Sequence, residues 1–277
     1  MCNYIRNIEH FEELVTHSGS RESIKNINCY LMPEEIYKLT RNKTLCFQEM
    51  ESGLWVIQNI HKEYVLLYLY ANPAKTIELP ITDIAATTFF IGTNKIFPIS
   101  TQTVIAHLQE IGFFCHATSF RFSKMLGRVS SPETVILGGL EIRAAGAEDV
   151  TQILCLWEET FDLVANQIPD SNNLIAEVSD GNVICAFIDG VFAGVLVTGF
   201  TKSELLIRHV AVAREFRGKS IGTALVAAAE EVAQKKGLGR SLLWVIEGNK
   251  PALSLYNKLG YNTDGRFMTQ YTLAAPD

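Results

Sequence analysis

The stretch from Glu204 to Lys236 constrains the fold more than any other, because its periodicity changes around one glycine-bearing loop. ELLIRHVAV (204–212) is rich in β-branched and apolar residues and reads as a strand. A loop follows that holds Arg217, Gly218, Lys219, Ser220 and Gly222. Ile221, Leu225, Ala228, Ala229 and Val232 then fall on one face of a helix, with Lys235 and Lys236 in its last turn and Gly237 at its stop. A strand that enters a helix through a short basic loop is built to hold an anion. The first-turn N–H groups lack intrahelical partners and carry partial positive charge, and Arg217 and Lys219 add full charges. A pyrophosphate is the natural guest. The Walker pattern is excluded, since it needs glycine where Ala213 stands, and G-x-G-x-x-G has only Gly218 and Gly222 in place. On the loop alone, an ordinary strand-to-helix turn with a solvated basic face stays open.

The flanking sequence predicts a regular domain. LEIRA (140–144) alternates as a strand, and Glu148 and Asp149 open a helix whose apolar face is Val150, Ile153, Leu154, Trp157, Phe161 and Val164. Residues 182–200 read as a hairpin turning at Asp189-Gly190. RSLLWVI (240–246) is a further strand. Asn249 caps a helix that has Pro251 in its first turn and runs to Leu259; Gly260 ends it, and Tyr261 starts a last strand. The first half is less regular, with helices around Ile8–Val15, 32–42 and 101–111, a hairpin over 54–70 and a strand over 113–122. Its HLQEIGFF (107–114) lines up with LYNKLGYN (255–262), which hints at an internal repeat. GRVSSPETVILGG (127–139) has the composition of a linker. These readings predict two domains, 1–130 and 138–277. The fold class is α/β (α+β): a mixed, mostly antiparallel sheet flanked by helices, preceded by a second, smaller α+β domain.

With 48% hydrophobic and 19% charged residues, the 277-residue chain is expected to bury a full core. No apolar run reaches the eighteen residues of a membrane span, and the N-terminal residues are unlike a signal peptide, so the expected location is cytoplasmic. The six cysteines show neither C-x-x-C nor metal spacing with histidine; they read as reduced core thiols, with no metal expected. A net charge of −6 argues against nucleic acid as a partner and is compatible with a cationic acceptor.

FRGKSIGTAL resembles the pyrophosphate loop of the GNAT (N-acetyltransferase) superfamily. Arg217 and Gly222 match, and Ser220 stands in place of the first glycine. LWVIEGNKPALSLYNKLGY (243–261) resembles the family's second block at Asn249, Ala252, Tyr256, Leu259, Gly260 and Tyr261. The resemblance covers roughly residues 140–273. It implies a GNAT-like sheet, acetyl-CoA as cosubstrate, and transfer of an acyl group to a primary amine in a ternary complex. Pantetheine would pair with the strand edge Val210-Ala211-Val212, and the pyrophosphate would lie on Arg217, Gly218, Lys219, Ser220, Ile221, Gly222 and Thr223. Asn249 would touch the cofactor, and Tyr256 would protonate the leaving thiolate. The acceptor would be a small-molecule or peptide amine; a homodimer is compatible with the family. Glu204 is the candidate base, with His209 on the other strand face unless a bulge intervenes. A catalytically weak acyl-CoA-binding sensor is the rival reading, supported by Ser220. The first half, lacking a basic glycine loop and carrying Leu108 where the tyrosine would stand, reads as a degenerate copy. A chain starting near Ser131 is then expected to keep some affinity for CoA.

Overall fold

A computed structural model describes the chain except residues 1–2, 21–24, 27, 29–30, 32, 74, 81–84, 128–137 and 275–277. The linker and the start point near Ser131 therefore lie largely outside the described residues. The first half runs β1 (Asn3–Tyr4), α1 (Ile8–Ser20), β2 (Lys25–Asn26), α2 (Pro33–Arg41), β3 (Leu45–Met50), β4 (Gly53–Asn59), β5 (Tyr64–Ala71), β6 (Ala85–Thr93), α3 (Ile99–Glu110) and β7 (Phe114–Met125). The second runs β8 (Leu140–Ala144), α4 (Val150–Thr160), α5 (Ser171–Ser179), β9 (Val183–Ile188), β10 (Val191–Phe200), β11 (Glu204–Val212), α6 (Ile221–Lys235), β12 (Arg240–Ile246), α7 (Lys250–Lys258) and β13 (Asn262–Leu273). The class is the expected one, α+β with mostly antiparallel strand pairs and helices flanking them.

Local signals work as elementary chemistry requires. The β9–β10 hairpin turns on Asp189 (φ 49°) and Gly190 (φ 81°), the left-handed pair that a two-residue turn needs. α6 stops where Leu238 N–H reaches back to Ala233 O at 3.0 Å, with Gly237 at φ 77° between them. One helix is shorter than its apolar periodicity suggests. α4 ends at Thr160 because Phe161 is extended, although Phe161 and Leu163 still pack on the same core. A second helix, α5, follows, with Asp170 Oδ1 accepting from Asn173 N–H at 3.0 Å as its cap.

The order of elements repeats. Apart from the two-residue β2 between α1 and α2, strand, two helices and three strands come first in each half, then strand, helix, strand. The helix ends also correspond: Phe113 N–H bonds Leu108 O at 2.9 Å around Gly112, as Tyr261 N–H bonds Tyr256 O at 3.0 Å around Gly260. The second half has α6 between β11 and β12, whereas the described residues 72–80 between β5 and β6 of the first half contain no helix.

The compact units do not follow the linker. One takes residues 1–118 with 266–277, and the other takes 119–265. The physical reason is an exchange of last strands. Residues Ser119–Met125 of β7 pair antiparallel with β12 in the second unit, and Arg266–Leu273 of β13 pair antiparallel with β6 in the first. In the first unit, α3 lays Val104, Ile105 and Leu108 on a core that includes Trp55, Leu67, Leu69, Phe90 and Tyr271. In the second, α6 and α7 cover one face, where Ile221, Leu225 and Val226 meet Leu205 and Ile207. The other face, with Val195, Val197 and Ala211, packs against Ile153 and Trp157 of α4.

Candidate functional site

β11 carries the site because it is joined to its neighbour over only part of its length. It pairs in parallel with β12 from Glu204↔Arg240 to Ile207↔Leu243, and the pairing stops there. β12 continues to Ile246 against β7, while β11 continues to Val212 against β10. The two strands therefore open into a cleft beyond Ile207. Ala213 N–H donates to Ala193 O at 3.0 Å, so by strand alternation the backbone groups of Val210 and Val212 point away from β10 into the opening. Ala211 turns its own backbone groups toward β10. The Val212 carbonyl there accepts from Arg217 Nε at 3.0 Å.

A bulge sets which side chains face which helix. Val197 pairs with His209 and Thr198 with Ile207, so Arg208 is an extra residue on β11. Before it, Leu205 and Ile207 face α6; after it, Val210 and Val212 do. His209 and Ala211 are thereby turned to the α4 face. His209 stacks edge-on to Trp157 at 5.5 Å and lies 6.1 Å from Phe161. Burial, with the Arg208 charge nearby, lowers its imidazole to about 3, so the ring is neutral at physiological pH. Arg208 itself is held by Glu177 of α5 at 3.2 Å.

The loop after β11 makes a turn of 3-10 helix over Arg214–Phe216 and then enters α6. Gly218 takes φ 77°, and Ser220 caps the helix in the left-handed region at φ 59°. A serine there carries a strain of about 1 kcal/mol that glycine would not. Arg217–Ser220 forms a turn, but among the described residues no well-aligned backbone hydrogen bond is donated by the N–H groups from Gly218 to Thr223; the first is from Ala224 N–H, to Ser220 O at 3.0 Å. This is a row of six donors at a fifteen-residue helix, the arrangement that anions require. Lys219 Nζ lies 5.1 Å from the Phe216 ring centre. Gly222 serves packing: a Cβ there would stand 3.2 Å from Leu255 Cδ2, so its absence lets α7 approach the start of α6.

α7 brings in the remaining sequence-predicted residues. Asn249 accepts from Ala252 N–H at 3.1 Å and so caps the helix. Tyr256 is buried, with its ring 5.7 Å from Tyr261 in edge contact. Burial raises its hydroxyl above the usual tyrosine range. Behind it, Tyr261 Oη donates to Glu230 Oε1 at 2.8 Å and lies 2.6 Å from Ser241 Oγ, and Lys124 Nζ completes the set on Glu230 Oε2 at 2.7 Å. A fully paired buried network of this kind fixes the Tyr261 ring, and with it the surface that Tyr256 leans on.

Glu204 does not join this group. It sits at the far end of β11, roughly 26 Å of extended strand from Val212, and its carboxylate is ion-paired with Arg240. The base suggested by strand alternation is thus displaced by geometry. The residues that strand reading missed are Trp157, Thr160 and Phe161, whose helical spacing is that of a core face. No cluster of metal-ligating residues occurs among the described residues. No helix among them is long and apolar enough to cross a membrane.

Residues 149–261 match the acetyltransferase (GNAT) family model. The second half carries a GNAT domain. Two curated relatives align with parts of the chain. A putative [ribosomal protein bS18]-alanine N-acetyltransferase of Bacillus subtilis is 33% identical over 84 residues, 30% of this chain and 56% of that protein. An uncharacterized N-acetyltransferase of Methanocaldococcus jannaschii is 39% identical over 66 residues, 24% of this chain and 29% of that one. The chain thus spans about half or less of the relatives it matches. Among solved structures, a Drosophila protein matches at TM-score 0.64 and 12% identity over 99% of both chains. A GCN5-related N-acetyltransferase from Sphaerobacter thermophilus matches at 0.55 and 14%, over 90% of this chain and 87% of that one. A tandem GNAT protein from the clavulanic acid pathway matches at 0.53 and 14%, over 84% and 83%. These last likenesses show the fold, and they extend beyond the GNAT domain into the first half.

Proposed function

We propose that the chain is an acetyl-CoA-dependent N-acetyltransferase whose chemistry takes place in the second unit. The observation that carries the reading is the continuity of an open strand edge at Val210–Val212 with the row of free N–H groups from Gly218 to Thr223. Pantetheine is an amide chain, suited to pair with a strand edge, and its pyrophosphate end suits a helix start. Arg217 would leave Val212 O as the cofactor pairs there and would turn its charge to the phosphates.

Acyl transfer then needs three things of the protein. A backbone N–H on the edge holds the thioester oxygen as it gains charge, a contribution worth about 3 kcal/mol. The amine nitrogen attacks the carbonyl carbon directly, the C–S bond breaks, and the nitrogen loses one proton to solvent. Tyr256, kept protonated by burial, donates a hydrogen bond to the leaving sulfur, which departs as the thiolate and takes its proton from solvent. Its raised hydroxyl makes full transfer to a thiolate of pKa ~8.5 uphill, so the donated hydrogen bond carries most of the effect.

The first unit is read as a copy without a cofactor. Its β5–β6 pair also opens after four residues, from Tyr64↔Ala85 to Leu67↔Thr88. The edge beyond is taken by β2, which pairs Lys25↔Ala71 and Asn26↔Tyr70. Asn28 fills the angle, accepting from Leu69 N–H at 2.6 Å and donating to Phe89 O at 3.0 Å. The expected stoichiometry is one CoA per chain.

Calorimetric titration with acetyl-CoA, followed by thiol-release assays across amines, tests the whole reading. One site with release of CoA is the expected result. Binding without release from any amine would instead favour a sensor, and absence of binding would remove the cofactor assignment.

A further inference from the structure

The second face of β11 has chemistry that cofactor binding does not use. α6 and its loop occupy one face, so an acceptor reaching a thioester laid along Val210–Val212 comes from the other, where α4 lies. There His209 immediately precedes the open edge and is walled by Trp157 and Phe161. Two polar atoms of α4, Nε1 of the Trp157 ring that meets His209 and Thr160 Oγ1 one turn along the helix, are enclosed without a hydrogen-bond partner among the described residues. Buried groups of this kind are normally satisfied, by water or by a ligand. An indole N–H can only donate, so what satisfies it must bring an acceptor atom.

The charges around His209 can be enumerated. On β11, Arg208 is adjacent and paired with Glu177 of α5. On α4, Glu158 and Glu159 are exposed. In the segment after α4, Asp162 Oδ1 accepts from Ala165 N–H at 2.8 Å, and Asp170 caps α5. β10 has no charged residue, and Glu204 on β11 is paired with Arg240 of β12. The one charge that perturbs the imidazole is the cation Arg208. A carboxylate is what would hold an ammonium ion or draw its proton, and among the described residues none shifts the His209 imidazole.

We propose that the His209, Trp157 and Phe161 face receives the acceptor, and that it selects weakly basic α-amino groups over lysine-like amines. An α-amino acid or peptide N-terminus also brings a carbonyl or carboxylate oxygen close to its amine, the acceptor that Trp157 Nε1 and Thr160 Oγ1 lack. His209 accepts a hydrogen bond from the neutral amine. An α-amino group of pKa ~7.7–8.0 is about one-tenth neutral at pH 7, whereas a lysine-like amine of pKa ~10.4 is neutral at less than roughly one part in a thousand.

This inference rests on the acyltransferase reading, and the two fail differently. The test is thiol release by the full chain with acetyl-CoA at pH 7, comparing glycylglycine and an alanyl peptide with Nα-acetyl-lysine amide and spermidine. The best α-amine should exceed the other two in kcat/KM by about 100-fold. The gap should narrow roughly tenfold as pH rises toward 9, because the α-amine approaches full neutrality while the strongly basic amines keep gaining neutral fraction. Equal or better use of Nα-acetyl-lysine amide or spermidine overturns the inference and leaves acyl transfer standing; no release from any amine overturns both. His209→Phe, which keeps the aromatic packing, should lower kcat/KM for the best α-amine tenfold or more with an unchanged acetyl-CoA Kd. An unaltered kcat/KM would remove His209 from the acceptor side.

Discussion

Two parallel strand pairs, one in each unit, are joined over four residue pairs and then diverge. In the first unit the freed edge of β5 is covered by Lys25–Asn26, and Asn28 satisfies what remains of the opening. In the second, no segment among the described residues pairs with β11 beyond Ile207 on that side. An exposed strand edge is a row of unmet hydrogen bonds, and it demands a partner. Where the chain supplies that partner the cleft becomes architecture; where it does not, the cleft is available to a small molecule. The helix that follows makes the same distinction. α6 aims free N–H groups at the second cleft, and the described residues 72–80 offer no such helix to the first.

The comparison can be broken most severely by cutting the chain. A chain beginning at Gly138 lacks Ser119–Met125, the strand that pairs with every residue of β12. It should lose cooperative unfolding and acetyl-CoA binding together, measured by thermal denaturation and titration; a stable fragment that binds CoA would show the exchanged strand to be dispensable. This replaces the sequence-based expectation that the second half keeps some affinity alone. Next in size is Tyr256→Phe, which should lower turnover by about 10²–10⁴ with little change in CoA affinity. Leu108→Phe at the matching helix position of the first unit should alter thermal stability only.

Asn28→Ala should destabilise the chain by about 1–3 kcal/mol, because Leu69 N–H and Phe89 O lose a buried partner. Calorimetry should still find one CoA site, since the described residues 72–80 bring no helix start to that cleft to hold a pyrophosphate. A second site in this variant would mean that the plug alone distinguishes the clefts. The smallest expected effect is that of Ser220→Gly. Relief of the left-handed serine should raise stability by about 0.5–1 kcal/mol and tighten CoA binding up to a few-fold. A weaker complex would indicate that the Ser220 hydroxyl itself holds the cofactor.

Much of this was legible in the residues. Asp189-Gly190, Gly237, Gly260 and Asn249 each do locally what their chemistry dictates, and the Leu108 and Tyr256 helix ends matched before any fold was known. What stayed hidden depends on partners distant in sequence. β7 and β13 are both twelve-residue strands after a Gly-terminated helix, and nothing local tells either which β-edge it will join. The bulge at Arg208 has no glycine to mark it, yet it moves His209 to the other face and makes simple alternation misleading. Lys25–Asn26 and Asn28 carry no apolar signal, since what they do is done by backbone pairing and one amide side chain. α5 leaves little apolar period in the residues because it is short and buries Leu174 alone. The apolar period of α4 runs past the helix because Phe161 remains apolar after the helix has ended.

The exchanged strands also order events at the ribosome. β6 is complete by Thr93, but its antiparallel neighbour arrives only with Arg266–Leu273. For the time it takes to make some 170 residues, at about 5–20 residues per second, the nascent first unit presents a bare sheet edge. Contacts of such sequence separation make folding slow and leave that edge open to pairing with other chains. A stop between codons 266 and 272 would therefore spare every proposed cofactor-site residue and still leave the amino-terminal unit unfinished.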